Sequence, residues 1–353
     1  MTKIEWVGDK PIDFKSVETM LNTSMSTKQL TNNGPVKQRL EEFMRDKLQL
    51  DDEYDVTAVN SGTSALHALV SGINMFNGNE LQYTCGSFGF PSVAQGPLSG
   101  THLVDIDEAH SLNLAQIPDG TDGIIVTNLF GTVVDIAKYV QWATRNNKVL
   151  LFDNATTPFT FFNGKNCVNY GDGCCISLHH TKPIGYGEGG LVISRKKYKK
   201  CIDRCVNFGF SINNGIVDWH KYGSNYKISD INCAFILTYL TNELEVLRTK
   251  HVELYQHFTD SMCRCKFTTF ATFSNTTPFT SCIPLIFNKP ITNDHIVVLG
   301  LHGICARKYY KPLVHTPNAA DLYEHILCLP LHVGLSKSDM ENYVCILNDF
   351  VVE

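Results

Sequence analysis

The sequence predicts an α/β fold: a large domain with a mostly parallel central sheet covered by helices, followed by a smaller α+β domain at the C-terminal end. Two observations carry that prediction. Short, continuously apolar runs recur at 102–105, 123–126 and 148–152, separated by about one helix each, which is how strands buried on both faces read. The chain of 353 residues is also too long for one ordinary core and suggests about two domains.

Hydrophobic residues make up 43% of the chain and charged residues 18%, the balance of a soluble globular protein with ample material for a core. The net charge of −5 leaves no basic footprint and argues against nucleic acid as a partner. No window approaches the ~18 uninterrupted apolar residues of a membrane span. The first residues, Met1 to Trp6, lack the apolar centre of a signal peptide, which points to the cytoplasm and away from a membrane. The 13 cysteines are odd in number and irregularly spaced, so they read as small buried hydrophobes rather than a disulfide framework. Cys201 and Cys205 sit one helical turn apart, but two ligands without visible partners make a poor metal site, and no metal is expected.

Taken in order, residues 11–50 read as two helical pieces, the second with Leu40, Phe43, Met44 and Leu48 at helical spacing. The cluster Thr31-Asn32-Asn33-Gly34-Pro35 before it is either a plain helix start or the polar rim of a site. Val56 to Val59 form a β-prone run that breaks at Asn60-Ser61-Gly62-Thr63-Ser64, after which Ala65, Leu66, Leu69, Val70 and Ile73 recur at helical period. A strand running into a Ser/Gly/Thr turn that opens a helix either holds a phosphate on free N–H groups and hydroxyls or is an ordinary N-cap. Ile136, Tyr139, Val140 and Ala143 mark the helix between the 123–126 and 148–152 runs, and Asp153 stands at the carboxyl end of the latter. A long helical pattern from Ser229 to about Phe258 leads into the second domain, so the domains are expected at 1–240 and 241–353. The remainder has short β-prone runs such as 280–286 and closes on a helix from Ser338 to Val351.

Ligands of mostly parallel sheets gather at the carboxyl ends of the strands. There the chain places Ser177-Leu178-His179-His180-Thr181-Lys182-Pro183-Ile184-Gly185-Tyr186-Gly187-Glu188-Gly189-Gly190, between apolar runs at 174–176 and 191–193. A lysine between buried strands escapes the cost of charge burial by a shifted pKa or a covalent bond, as in lysines that bond an aldehyde cofactor. The plainer reading is a solvated loop joining a hairpin. Pyridoxal phosphate needs an amine for its aldehyde, a carboxylate facing its ring nitrogen, donors for its phosphate and an aromatic wall for its ring. Lys182, Asp153, the Gly62-Thr63-Ser64 helix start with Ser177, and Phe88 or Phe90 are the candidates for these tasks.

These residues belong to a longer series. It includes Thr31-Asn32-Asn33-Gly34-Pro35, Asn60-Ser61-Gly62-Thr63-Ser64-Ala65-Leu66, Asp105-Ile106-Asp107, Leu129-Phe130-Gly131 and Phe152-Asp153-Asn154-Ala155. It continues through Tyr170-Gly171-Asp172, the Lys182 stretch, Asn225-Tyr226-Lys227-Ile228-Ser229-Asp230, Arg307-Lys308-Tyr309-Tyr310-Lys311-Pro312-Leu313 and Leu329-Pro330-Leu331-His332. In this order, over nearly the whole chain, it resembles the sugar-nucleotide aminotransferases of the DegT/DnrJ/EryC1/StrS family, pyridoxal-phosphate enzymes of the aspartate-aminotransferase fold (fold type I).

The resemblance implies a transaminase that moves an amino group from an amino acid, L-glutamate, to a nucleotide-linked keto sugar. A 4-keto-6-deoxyhexose is the expected acceptor, because the Ser-x-His-x-Thr-Lys…Glu-Gly-Gly form is similar to the branch making 4-amino-4,6-dideoxy sugars; a 3-keto sugar is the alternative. It implies Lys182 as the lysine that bonds the cofactor and carries the proton, Asp153 as the partner of the ring nitrogen, and Gly62, Thr63, Ser64 and Ser177 as the phosphate site. Phe88 is the expected stacking ring, and Asn225 is expected to reach the phosphate of the other subunit of a homodimer. His180, Arg307, Tyr309 and Tyr310 are placed on the substrate side, with packing as their alternative role. Relatives that remove a hydroxyl carry histidine at the lysine position, so Lys182 selects amine transfer.

Two positions depart from the family pattern. Thr156 stands where Gln or His usually contacts the pyridoxal hydroxyl; a threonine hydroxyl reaches less far, with water or Asn154 as the expected stand-in. Lys227 replaces a common Arg, keeping the charge and losing the bidentate fork. Two other classes of reading stand beside the enzyme: a non-catalytic relative, which Thr156 alone favours, and a carbohydrate-binding scaffold without cofactor.

Overall fold

Seven short strands form the central sheet: β1 (Tyr54–Val59), β2 (Tyr83–Gly86), β3 (His102–Val104), β4 (Gly123–Thr127), β5 (Val149–Asp153), β6 (Gly173–Ser177) and β7 (Gly190–Arg195). A computed structural model describes residues 3–213, 215–262, 267–269 and 276–350. The strand order is β1-β7-β6-β5-β4-β2-β3. The pairs from β3 through β6 are parallel, and β7 runs antiparallel to both β6 and β1. Six strands therefore point the same way, as the apolar runs predict. The reversed strand is the one that follows the Lys182 loop, so the hairpin reading of that loop holds for its strands.

Alternation along the strands divides the core. Ile124, Val126, Phe152, Ile176 and Ile193 face one side, where they meet α1 (Phe14–Ser26), α2 (Pro35–Lys47), α4 (Ile136–Asn146) and α6 (Asp230–Ser261). Ile125, Leu151, Cys175 and Val192 face the other, against α3 (Gly62–Asn77) and α5 (Lys196–Val206). Both faces are buried, which is why the strands read as unbroken apolar runs.

The register aligns the ends that matter. Thr127 lies opposite Asp153, Asp153 opposite Cys175, and both Ser177 and Val59 opposite Gly190. The carboxyl ends of β1, β4, β5 and β6 thus meet along one rim.

The Thr31–Pro35 cluster proves to be a helix start. Gly34 is the N-cap of α2 and Pro35 opens it, while the amides of Val36 and Lys37 each donate to the Asp230 carboxylate at 3.0 Å and the Ser24 hydroxyl donates at 2.5 Å. A Cβ on Gly34 would sit 2.4 Å from Asp230 Oδ2, so the close approach requires glycine.

The 32-residue helix α6 joins two cores. Its residues Cys233 to Leu247 pack on the sheet, and Leu254, Tyr255 and Phe258 pack in a second core. That core is built on a three-stranded antiparallel sheet, β8 (Phe267–Thr269), β9 (Ile283–Phe287) and β10 (Ile326–Leu329), with α7 (Asn293–Leu301) and α9 (Lys337–Phe350). Val351, the expected last residue of the final helix, lies outside the described residues. α8 (Pro317–His325) starts on Asp105, which accepts the amides of Asn318 at 3.0 Å and Ala319 at 3.1 Å. The described cysteines are free thiols and most are buried. No helix among the described residues is long and apolar enough to cross a membrane.

Candidate active site

A cavity of about 530 Å³ opens at this rim, lined by the last residues of β4, β5 and β6, namely Thr127, Asp153 and Ser177. Asp153 is 3% exposed. Its Oδ1 accepts the Ala155 amide at 3.0 Å and the Cys175 thiol at 3.3 Å. Oδ2 takes no hydrogen bond from the described residues and is left for a donor in the cavity. Burial lifts the carboxyl above the usual range, and the Ala155 amide, the Cys175 thiol and Lys182 act against it.

Lys182 sits in a tight turn across the cavity. Its amide donates to the His179 carbonyl at 2.8 Å, and the Gly185 amide returns to the Lys182 carbonyl at 3.0 Å. Burial pushes its amine below the ordinary lysine range, with the Asp153 charge opposing. A lysine amine made less basic in this way is a better nucleophile and proton acceptor near neutral pH.

The wall beside them is the start of α3. Ser61 caps the helix, its hydroxyl accepting the Ser64 amide at 3.0 Å. The first-turn amides of Gly62 and Thr63 have no intrahelical acceptor, and both residues line the cavity with Ser61 and Ser177. A 16-residue helix also brings the positive end of its dipole there. The glycines let this wall close up: a Cβ on Gly62 would lie 2.7 Å from Ser177 Cβ, and one on Gly190 2.2 Å from the Ser61 carbonyl.

Of the residues expected at the site, Lys182, Asp153, Gly62, Thr63, Ser177, Thr156, Arg307, Tyr309 and Tyr310 all line this cavity. Four expectations need correction. Phe88 is only 2% exposed and packs with Ile106, Leu129 and Phe130, whereas Phe90 is 52% exposed and lines the cavity. The chain leaves the strand after Gly86, so strand alternation no longer says which ring points where. Ser64 does not line this cavity, its amide donating to the Ser61 hydroxyl and its own hydroxyl accepting from it; Ser61 lines the cavity instead. His180 packs edge-on against Tyr186, and it is His179 that lines the cavity, its Nδ1 2.8 Å from Thr181 Oγ1. Asn154 cannot stand in for Thr156, because it is fully buried and bonded to Asn128 at 2.6 Å and to Cys167.

Asn225 is exposed and absent from the cavity of its own chain, its carbonyl accepting from Asn60 at 3.2 Å. Lys227 lies outside that cavity too, donating to Asn207 at 3.0 Å. Sequence patterns carried no signal for Trp6 or Asn128, which also line the site. Trp6 arrives from the N-terminal segment and packs edge-on against Tyr309 at 5.6 Å, with the Arg307 guanidinium 4.6 Å from its ring centre.

Comparison with known proteins identifies the family. Residues 12–347 match the DegT/DnrJ/EryC1/StrS aminotransferase family. A dTDP-4-amino-4,6-dideoxy-D-glucose transaminase of Shigella dysenteriae is 26% identical over 91% of this chain and 92% of its own. A GDP-perosamine synthase of Caulobacter vibrioides is 24% identical over 84% and 85% of the two chains. The fold superposes on PseC of Helicobacter pylori, an aminotransferase of pseudoaminic acid biosynthesis, with a TM-score of 0.84 at 18% identity, covering 99% of this chain and 100% of the other. The chain therefore belongs to the DegT/DnrJ/EryC1/StrS family and is a pyridoxal-phosphate-dependent sugar aminotransferase.

Proposed function

We propose that this enzyme moves the amino group of L-glutamate to a nucleotide-linked 4-keto-6-deoxyhexose. The observation that carries the reading is the convergence of Lys182, Asp153 and the open start of α3 on one cavity. The preference for carbon 4 is supported by the relatives named for 4-amino sugars.

The donor set fits pyridoxal phosphate. Asp153 Oδ2 lacks a hydrogen-bond donor among the described residues, the Gly62 and Thr63 amides with the Thr63 and Ser177 hydroxyls suit a phosphate, and Phe90 supplies a ring wall. When bound, the cofactor supplies an aldehyde for amine exchange and a ring that draws electrons from the substrate carbon. Asp153 holds the proton on the ring nitrogen through Oδ2 and is kept in place by the Ala155 amide and the Cys175 thiol on Oδ1. Lys182 Nζ takes the proton from the α-carbon of the amino donor, a task suited to an amine whose basicity burial has lowered. Thr156 faces the cavity with its hydroxyl only weakly committed, 3.4 Å from the Asn128 carbonyl, and is free to meet a ring hydroxyl directly or through water. Arg307 and Tyr309, paired at 2.5 Å, present a cation and a hydroxyl to the substrates.

The exposed Asn225 supports a homodimer in which it serves the partner's phosphate site. The change of core along α6 between Leu247 and Leu254 supports two domains, 1–240 and 241–353, with the first turns of the second still packed on the large sheet. We place the enzyme in the cytoplasm.

The test starts from the visible absorbance of the cofactor-loaded protein. L-Glutamate is expected to bleach it, a nucleotide 4-keto-6-deoxyhexose to restore it, and product mass and NMR to place the amine on carbon 4. Lys182→Ala is expected to abolish bleaching. Bleaching by glutamate with restoration only by 3-keto sugars would move the site of amination, and no bleaching by any amino acid would sink the reading.

A further inference from the structure

The N-terminal segment, residues 3–13, forms no helix or sheet strand of its own before α1, yet it runs across the site. Its first contact is with the second core, where the Ile4 amide donates to the Gly303 carbonyl at 2.7 Å and the Cys305 amide to the Ile4 carbonyl at 3.0 Å. Trp6 then lines the cavity beside Arg307 and Tyr309. Gly8 follows at close quarters with His332, where a Cβ would lie 2.5 Å from Nδ1.

Two residues on comes Lys10, whose amine is inserted beneath the turn that bears Lys182. It donates to the Lys182 carbonyl at 2.6 Å and to the Gly185 carbonyl, with the Pro183 carbonyl at 3.4 Å. The Tyr239 ring lies 5.1 Å from Lys10 Nζ, and the Tyr239 hydroxyl donates to the Pro183 carbonyl at 3.3 Å. No carboxylate forms an ion pair with Lys10 among the described residues, so the turn's carbonyls take that place. Burial draws the amine down to about 7, and the converging carbonyls favour the ammonium in return.

We infer that Lys10 is a positioning residue for the reaction: by binding the carbonyls of Lys182 and Gly185 it fixes the turn, and so the direction in which the Lys182 amine points. The inference rests on the reading of Lys182 as the reacting amine. The side chain of Lys182 is long and flexible, so its aim depends on the orientation of its own peptide unit. Charge-assisted bonds to that unit are stronger than neutral ones, and they come from a part of the chain that also touches the second core and the substrate wall. The N-terminal segment thereby ties the reactive lysine to both.

The test compares Lys10→Met, Lys10→Gln and Lys10→Arg with wild type. The first readout is hydrogen exchange of the 178–187 amides, with β4 as internal reference, on both cofactor-free and loaded protein. Removing a charge-assisted bond is expected to speed exchange in this turn about tenfold in the Met variant, with β4 unchanged and the Arg variant near wild type. The second is the rate at which glutamate bleaches the loaded enzyme. A misdirected lysine is expected to lower it about ten- to a hundredfold with little change in the glutamate concentration giving half-maximal rate, and Arg is expected to restore most of it. Wild-type exchange and rate in the Met variant would overturn the inference. So would equal losses in Met and Arg with faster exchange in β4, or failure of both Met and Gln variants to fold, since those outcomes make Lys10 a general packing residue. If glutamate fails to bleach the wild type, the functional reading has failed, and the exchange experiment still decides whether Lys10 holds the turn.

Discussion

Replacing Asp153 with Asn separates two demands on one side chain. The bonds to Oδ1, from the Ala155 amide and the Cys175 thiol, are met equally by the amide oxygen of Asn; what disappears is the charge at Oδ2. In the cofactor-free protein that charge is buried, and burial raises the carboxyl above its usual range. A carboxyl with a higher pKa folded than unfolded binds more protons in the native state. Its contribution to stability is therefore fully present below the unfolded value and lost as pH rises through the folded one. At pH 7 the cofactor-free wild type carries this penalty and the Asn variant does not. Relief of that penalty is expected to raise the melting temperature of the cofactor-free variant at pH 7, a difference that fades as pH falls to the ordinary carboxylate range of about 4. In the loaded enzyme the sign reverses, because the ring nitrogen loses a charge-assisted hydrogen bond of about 1.5–3 kcal/mol. The glutamate half-reaction is then expected to slow about 10- to 150-fold. Stopped-flow absorbance measures the rate, and thermal melts of loaded and cofactor-free protein across pH measure the stability. A half-reaction within about threefold of wild type, or a cofactor-free variant that melts well below wild type at pH 7, refutes the assignment.

The two phenylalanines after β2 are expected to part company on truncation. Phe88→Ala removes a buried core ring and is expected to destabilise by about 3–5 kcal/mol in urea unfolding. Phe90→Ala is expected to leave stability nearly unchanged while loosening cofactor binding about two- to tenfold, read by fluorescence titration. Asp230→Ala strips the start of α2 of its acceptor for two amides and a hydroxyl. A loss of about 3 kcal/mol is expected in urea unfolding, with the activity of the folded fraction retained; no measurable loss would show that water replaces the carboxylate.

Much of the site was legible before the fold was known, for identifiable reasons. Asp153 and Ser177 end apolar strands, and in a mostly parallel sheet strand ends share a rim, so their meeting follows from local pattern and the direction of the strands. The start of α3 is likewise a local event: a strand, a cap and the first turn of an amphipathic helix within a dozen residues. Lys182 was conspicuous because a charged residue stood between two buried runs.

Where local periodicity lapses, the sequence could not choose between neighbours. Phe88 and Phe90 have the same strand parity, but the chain has left the strand; His179 and His180 sit in a turn whose shape depends on bonds to Gly187 and Gly185; Ser61 and Ser64 differ only in which one caps. Asp105 and Asp230 stood out as motif residues, and only the fold reveals them as caps for helices whose first free amides lie 213 and 194 residues away in the chain. The same holds for Lys10, 172 residues from the carbonyl it holds. The chain by itself determined most strands of the large sheet and the helices between them, and set Asp153 and Lys182 near strand ends, because period and strand direction are local properties. Tertiary structure alone decided which rings, hydroxyls and cations face the cavity, because contacts between distant segments leave no periodic trace in either one.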